Sequence, residues 1–100
     1  MFLKIKNHKA TGVCYNNIAN YQFKNHKFLL AKLNFEEAIK VSEYGIEESK
    51  SERNNKVLRY YVTVRAHRYY QKAVCTYKYL KYSQQKIENA ERNIEIRRDE

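Results

Sequence analysis

An all-α fold is what this chain predicts, and three observations predict it. Proline is absent and glycine occurs only at Gly12 and Gly45, whereas sandwiches and barrels need many tight turns built from those residues. Apolar residues recur at spacings of three and four along most of the length. A strand reading of Leu58–Val64 finds no partner strand of similar quality elsewhere in the chain. With 43% apolar residues in 100, the chain is one domain near the lower end of what buries a comfortable core.

The elements follow in order. Residues 1–10 alternate weakly (Phe2, Leu3, Ile5 against Lys4, Lys6) and read as a lead, either a frayed strand or disordered. Residues 11–98 read as a single helical domain. Thr11 is placed to cap a first helix over roughly 11–24, with Val13, Cys14, Ile18, Ala19, Tyr21 and Phe23 on its apolar side. Asn25-His26-Lys27 breaks it. A second helix opens at Phe28 and carries Leu30, Ala31, Leu33, Phe35, Ala38, Ile39 and Val41, with no strong stop before Gly45 or the polar stretch after Ile46. Asn54-Asn55 is the best remaining turn signal. Residues 57–82 then read as one long helix, despite Val62-Thr63-Val64. Residues 84–98 form a last amphipathic piece with Ile87, Ala90 and Ile94 on its stripe and Ile96 one step off it, ending in charges expected to fray.

The first two helices carry a specific pattern: Tyr15-x2-Ile18-Ala19, then Phe28, then Ala31-x3-Phe35-x2-Ala38. Small residues let two antiparallel helices approach, and large ones fill the gaps beside them. This series resembles the tetratricopeptide repeat, whose helix–turn–helix unit has 34 residues. The resembling unit spans about 12–45. It departs from the family at Gln22, where an aromatic is expected, and at Glu43, which replaces the closing proline. A diverged second unit, about 64–97, aligns Tyr70 and Gln71 with Ile18 and Ala19, and Leu80, Ser83, Ile87 and Ala90 with Phe28, Ala31, Phe35 and Ala38. An excess of about five helical turns over one repeat lengthens the middle helices.

The resemblance implies antiparallel hairpins stacked as a right-handed superhelical solenoid whose concave side binds extended peptides, a scaffold rather than a catalyst. It places Asn16, Asn20, Arg68 and Lys72 on the groove-lining helices, where members that bind acidic peptide tails use Asn and basic residues. Arg68 and Lys72 lie one turn apart and suit a carboxylate. Such arrays usually need three or more units, so two suggest a truncated array, self-association or a place in a larger assembly.

The remaining chemistry is thin. Net charge is +9, from 20 Lys and Arg against 11 Asp and Glu, which favours acidic partners. Lys, Asn, Tyr and Ile rise together, as an AT-rich coding sequence would produce, and this weakens the inference from charge. Tyrosines from Tyr60 to Tyr82 alternate with Lys and Arg, an arrangement that suits nucleic acid or another polyanion, although tyrosines at helical spacing more often pack in core and rim. Cys14 and Cys75 stand apart, without a metal-binding cluster, and read as buried reduced thiols of a cytoplasmic protein. His8, His26 and His67 are isolated, and Glu36-Glu37 and Glu47-Glu48 diverge around their helix. No apolar run spans a membrane. No catalytic residue, cofactor or metal is expected.

Overall fold

The computed structural model describes the backbone of residues 7–99 and the side chains of residues 7–95. Of the expected lead at 1–10, residues 1–6 lie outside that range and residues 8–10 are helical instead; the side chains from Ile96 onward also lie outside it. Among the described residues the chain is three helices, α1 (His8–Lys24), α2 (Phe28–Ser51) and α3 (Asn55–Asp99), with no strand. Leu58–Val64 is helical.

The first helix begins three residues before the expected start. Asn7, not Thr11, is its cap: the Asn7 side chain accepts the Ala10 N–H at 3.1 Å, and the Thr11 hydroxyl donates back to the Asn7 carbonyl at 3.0 Å. Both loops close by one device. After α1, His26 takes a left-handed conformation (φ 60°), His26 N–H donates to Phe23 O at 3.0 Å and Lys27 N–H to Gln22 O at 2.9 Å. After α2, Arg53 does the same (φ 56°), with Arg53 N–H on Lys50 O at 3.2 Å and Asn54 N–H on Ser49 O at 3.0 Å. These are Schellman ends, which usually use glycine; here a side-chain residue is held in each. That is how so glycine-poor a chain turns twice. Asn54 then caps α3 by accepting the Val57 N–H at 3.2 Å.

Three-residue loops force neighbouring helices to run antiparallel. His8 at the start of α1 meets Glu48 near the end of α2 at 3.1 Å, and Phe28 at the start of α2 meets Tyr82 of α3 at 6.4 Å between ring centroids. So α1 and α3 run parallel to each other, side by side on α2. The core lies where small residues let the helices close: Ala19, Ala31, Ala38 and Cys75 are fully buried, and Phe35 fills the space among them. Ala31, Phe35 and Ala38 belong to the α2 stripe read from the sequence, and of that stripe only Leu30 and Leu33 are exposed. Gln22 donates nothing to that core. Its amide oxygen accepts from Asn34 of α2 at 2.7 Å, while Phe23 packs on the core and meets Phe28 edge-on at 5.3 Å.

Gly45 does not stop α2, which runs on to Ser51. Its missing side chain is filled instead: a Cβ there would stand 2.6 Å from the Tyr61 ring of α3. Nor do residues 64–97 fold into a hairpin. They lie within α3, an unbroken helix of 45 residues. Between Tyr79 and Gln85 there is no Gly, Pro or Asn and no left-handed residue, so nothing ends the helix. At about 1.5 Å per residue, α3 is about 67 Å long, close to the 71 Å extent of the molecule. The hairpin reaches along it as far as Tyr82, which meets Phe28.

Candidate groove between α1 and α3

Because α1 and α3 both pack on α2, a groove runs between them with α2 as its floor. Two concavities mark it. Asn20, Phe23, Phe35, Tyr70, Gln71 and Val74 line one. Val13, Asn16, Tyr60, Val64, His67 and Arg68 line the other. The helices are bridged across the groove by polar side chains: Gln71 Nε2 donates to Asn20 Oδ1 at 3.4 Å, and Lys9 Nζ lies 5.0 Å from the centre of the Tyr60 ring.

Arg68 is the groove's central residue and is only 5% exposed. Its Nη1 donates to the Ala38 carbonyl at 2.9 Å and to the Ser42 hydroxyl, both on α2. The guanidinium lies against the backbone of α1 at Gly12, where a Cβ would come within 2.9 Å of both terminal nitrogens. Glycine at 12 is therefore what admits the charged group. Among the described residues no carboxylate pairs with Arg68. Burial pushes its pKa below the ordinary guanidinium value, and the neighbouring Tyr60 and Tyr61 hydroxyls act in the opposite direction. Guanidinium stays charged in proteins, so the groove holds a fixed cation with no counter-charge paired to it among the described residues.

Two acceptors accompany it. Asn16 Oδ1 and Gln71 Oε1 are shielded from solvent and have no hydrogen-bond partner. Unmet acceptors of this kind are uncommon in folded proteins, where the large majority of buried polar atoms are paired. One comes from α1 and the other from α3.

Of the groove residues expected from the sequence, Asn16, Asn20 and Arg68 come together here. Lys72 does not. It lines a separate concavity with Tyr69 and Thr76 and pairs with Glu36 of α2 at 3.6 Å, while Lys32 approaches the same carboxylate at 4.0 Å. Both side chains reach α2, but Arg68 is buried beneath Gly12 of α1, whereas Lys72 stays partly exposed beside Glu36. Of the first-unit packing residues, Ala19, Phe28, Ala31, Phe35 and Ala38 are buried, Tyr15 is half-buried and Ile18 is 48% exposed. In the second unit Tyr70, Leu80, Ile87 and Ala90 are exposed and Ser83 is half-buried.

Sequence reasoning passed over Gly12, His67 and Gln71. A glycine inside an amphipathic helix, with no turn beside it, was the signal that something packs closely there. The cysteines also divide: Cys75 is buried, whereas Cys14 is exposed. Of the tyrosines between 60 and 82, Tyr61 alone is buried and Tyr60 is half-buried. The other five are exposed, Tyr70 by 67%, so they are not core. Among the described residues no helix is long and apolar enough to cross a membrane, and no three His, Cys, Asp or Glu side chains are grouped to hold a metal ion.

No family model, no curated protein and no solved structure matches this chain.

Proposed function

We propose that this chain is a non-catalytic protein-interaction module of tetratricopeptide-like kind, working in the cytoplasm, which holds an acidic peptide in extended form between α1 and α3. The observation that carries the reading is the pair of unpartnered acceptors, Asn16 Oδ1 and Gln71 Oε1, flanking the uncompensated Arg68. An extended peptide brings backbone N–H donors that such acceptors need, and an acidic side chain or terminus brings the counter-charge.

Titration calorimetry with a panel of acidic peptides, each paired with its scrambled version, tests the reading. A groove discriminates between the two members of a pair at constant charge. Replacing Asn16 by Leu should weaken the preferred peptide about fivefold, the worth of one hydrogen bond of about 1 kcal/mol. Equal affinity for all peptides of one charge, with a steep loss as salt rises, would favour the second reading, a polyanion binder. That reading draws on the exposed Tyr69, Tyr77, Tyr79 and Tyr82 with their neighbouring lysines, two of which, Lys81 and Lys86, lie over Tyr77 and Tyr82 at 6.0 and 4.8 Å.

A further inference from the structure

Every residue from Gln84 to Glu95 is exposed, a stretch of helix past the last contact of α3 with α2 at Tyr82 and Phe28. Isolated helices of this length are marginal in water and depend on packing for most of their stability. The stretch also continues a stripe that starts over the hairpin. Ala66, Ala73, Leu80, Ile87 and Ile94 fall seven residues apart, and all five are exposed. The positions three residues before Ala73, Leu80, Ile87 and Ile94 are Tyr70, Tyr77, Gln84 and Glu91, also exposed. Together these make the alternating three-and-four seam of a two-stranded coiled coil.

Charge decides what covers the seam. From Asn55 to Lys86 α3 carries eight Lys and Arg and no acidic residue; from Ile87 to Glu95 it carries Glu88, Glu91 and Glu95 against Arg92, before Arg97, Arg98 and Asp99 close it. A second α3 laid parallel would set base against base and acid against acid. Laid antiparallel, it sets the acidic stretch of each copy on the basic stretch of the other. With the two-fold axis between Gln85 and Lys86, Tyr77 meets Ile94 of the second copy and Gln84 meets its Ile87. Lys81, beside the seam, then faces Glu88 of the second copy, and the symmetry makes that pair twice. A two-fold interface of this kind closes on itself and leaves no further seam to extend.

We infer that the chain forms a dimer in which α3 pairs antiparallel with α3 of a second copy, through the seam from Tyr77 to Ile94. Of the α3 residues that line the groove, Tyr70 alone falls on the stripe, and it precedes the paired segment, so the dimer stands or falls apart from peptide binding.

The test is the solution mass of the full chain, measured by sedimentation at about 0.15 M salt, where screening over about 8 Å blunts the mutual repulsion of two +9 chains. The expected mass is twice 12.1 kDa. Leu80→Glu with Ile87→Glu should return the monomer mass, and both sites are 60% exposed, so the hairpin should keep its helical spectrum. Lys81→Glu and Glu88→Lys should each weaken the dimer severalfold, and the two together should restore it. A monomer at all concentrations up to the millimolar range would overturn the inference. So would a dimer that survives the double glutamate variant. Spin labels on Glu95→Cys in a Cys14→Ser chain fix the orientation: antiparallel helices separate them by about 30 Å and parallel ones by about 10 Å, from a rise of about 1.5 Å per residue. The shorter distance would also overturn it.

Discussion

Replacing Gly45 by Ala sets two opposed effects against each other, and the packing of α2 on α3 decides between them. In an exposed helix interior the change should stabilise by about 1 kcal/mol, because Ala loses less backbone entropy than Gly. Here the new Cβ would stand 2.6 Å from three atoms of the Tyr61 ring. Ordinary carbon contacts lie at about 3.5–4.0 Å, so the ring or the helix must move by about 1 Å. Tyr61 is 8% exposed and meets the Tyr60 ring at 5.1 Å, which leaves it little room to slide. Overpacking of this kind costs about 1–3 kcal/mol. The net expectation is a loss of about 1 kcal/mol, which lowers the melting temperature of a domain of this size by about 4–8 °C. Thermal melts followed by circular dichroism at 222 nm measure it. In a Tyr61→Val background the same glycine change should become stabilising, since the clash is gone. A Gly45→Ala protein that melts higher than the parent would refute the close approach of the two helices.

Ala31 and Ala38 are fully buried at the helix contacts, so Ala31→Leu or Ala38→Leu should each destabilise by about 1–3 kcal/mol, seen as an earlier urea midpoint. Unchanged midpoints in both would contradict the packing of α2. Arg53→Gly should stabilise by about 1 kcal/mol, because a left-handed conformation costs an L side chain that much and glycine almost nothing; a lower melting temperature would count against the Schellman turn. Burial raises the Cys75 thiol above its ordinary value of 9.0, and burial, with Tyr60 and Glu48 adding to it, raises the Tyr61 hydroxyl above 10.0. Folded-state values above the unfolded ones mean both contributions are complete at neutral pH and are lost as pH climbs beyond about 9. Urea midpoints should therefore fall between pH 8 and pH 10.5, and fall less in the Cys75→Ala, Tyr61→Phe protein.

How far the fold was legible depended on how local its causes are. The α2 stripe from Phe28 to Val41 and the break at Asn25-His26-Lys27 were readable because periodicity and turn residues are neighbours in sequence. The turn near Asn54 was readable for the same reason, since the residue that caps α3 is part of the signal. Gly45 misled, because a glycine that ends a helix and a glycine that admits a ring look alike until the ring's position is known. Continuity of α3 was missed in a similar way. Spacing at Leu80, Ser83, Ile87 and Ala90 matched a returning helix, yet no residue between Tyr79 and Gln85 favours a turn, and local propensity outweighed the pattern. In the groove, Asn16, Asn20 and Arg68 were placed by the tetratricopeptide resemblance, and they lie where α1 and α3 face each other. Lys72 was placed with them although it pairs with Glu36 of α2 outside the groove. Gln71 seemed a poor stand-in for a small residue; its polarity has a use once its amide is seen to bridge to Asn20 and leave one oxygen unmatched.

The groove reading is tested most directly by nuclear magnetic resonance of the side-chain amides while an acidic peptide selected from the panel is added. The account predicts that the Asn16 and Gln71 side-chain amide resonances and the Arg68 guanidinium signals shift first and saturate together. Shifts confined to the exposed Tyr69–Tyr82 face of α3, with Asn16 and Gln71 unmoved, would contradict it.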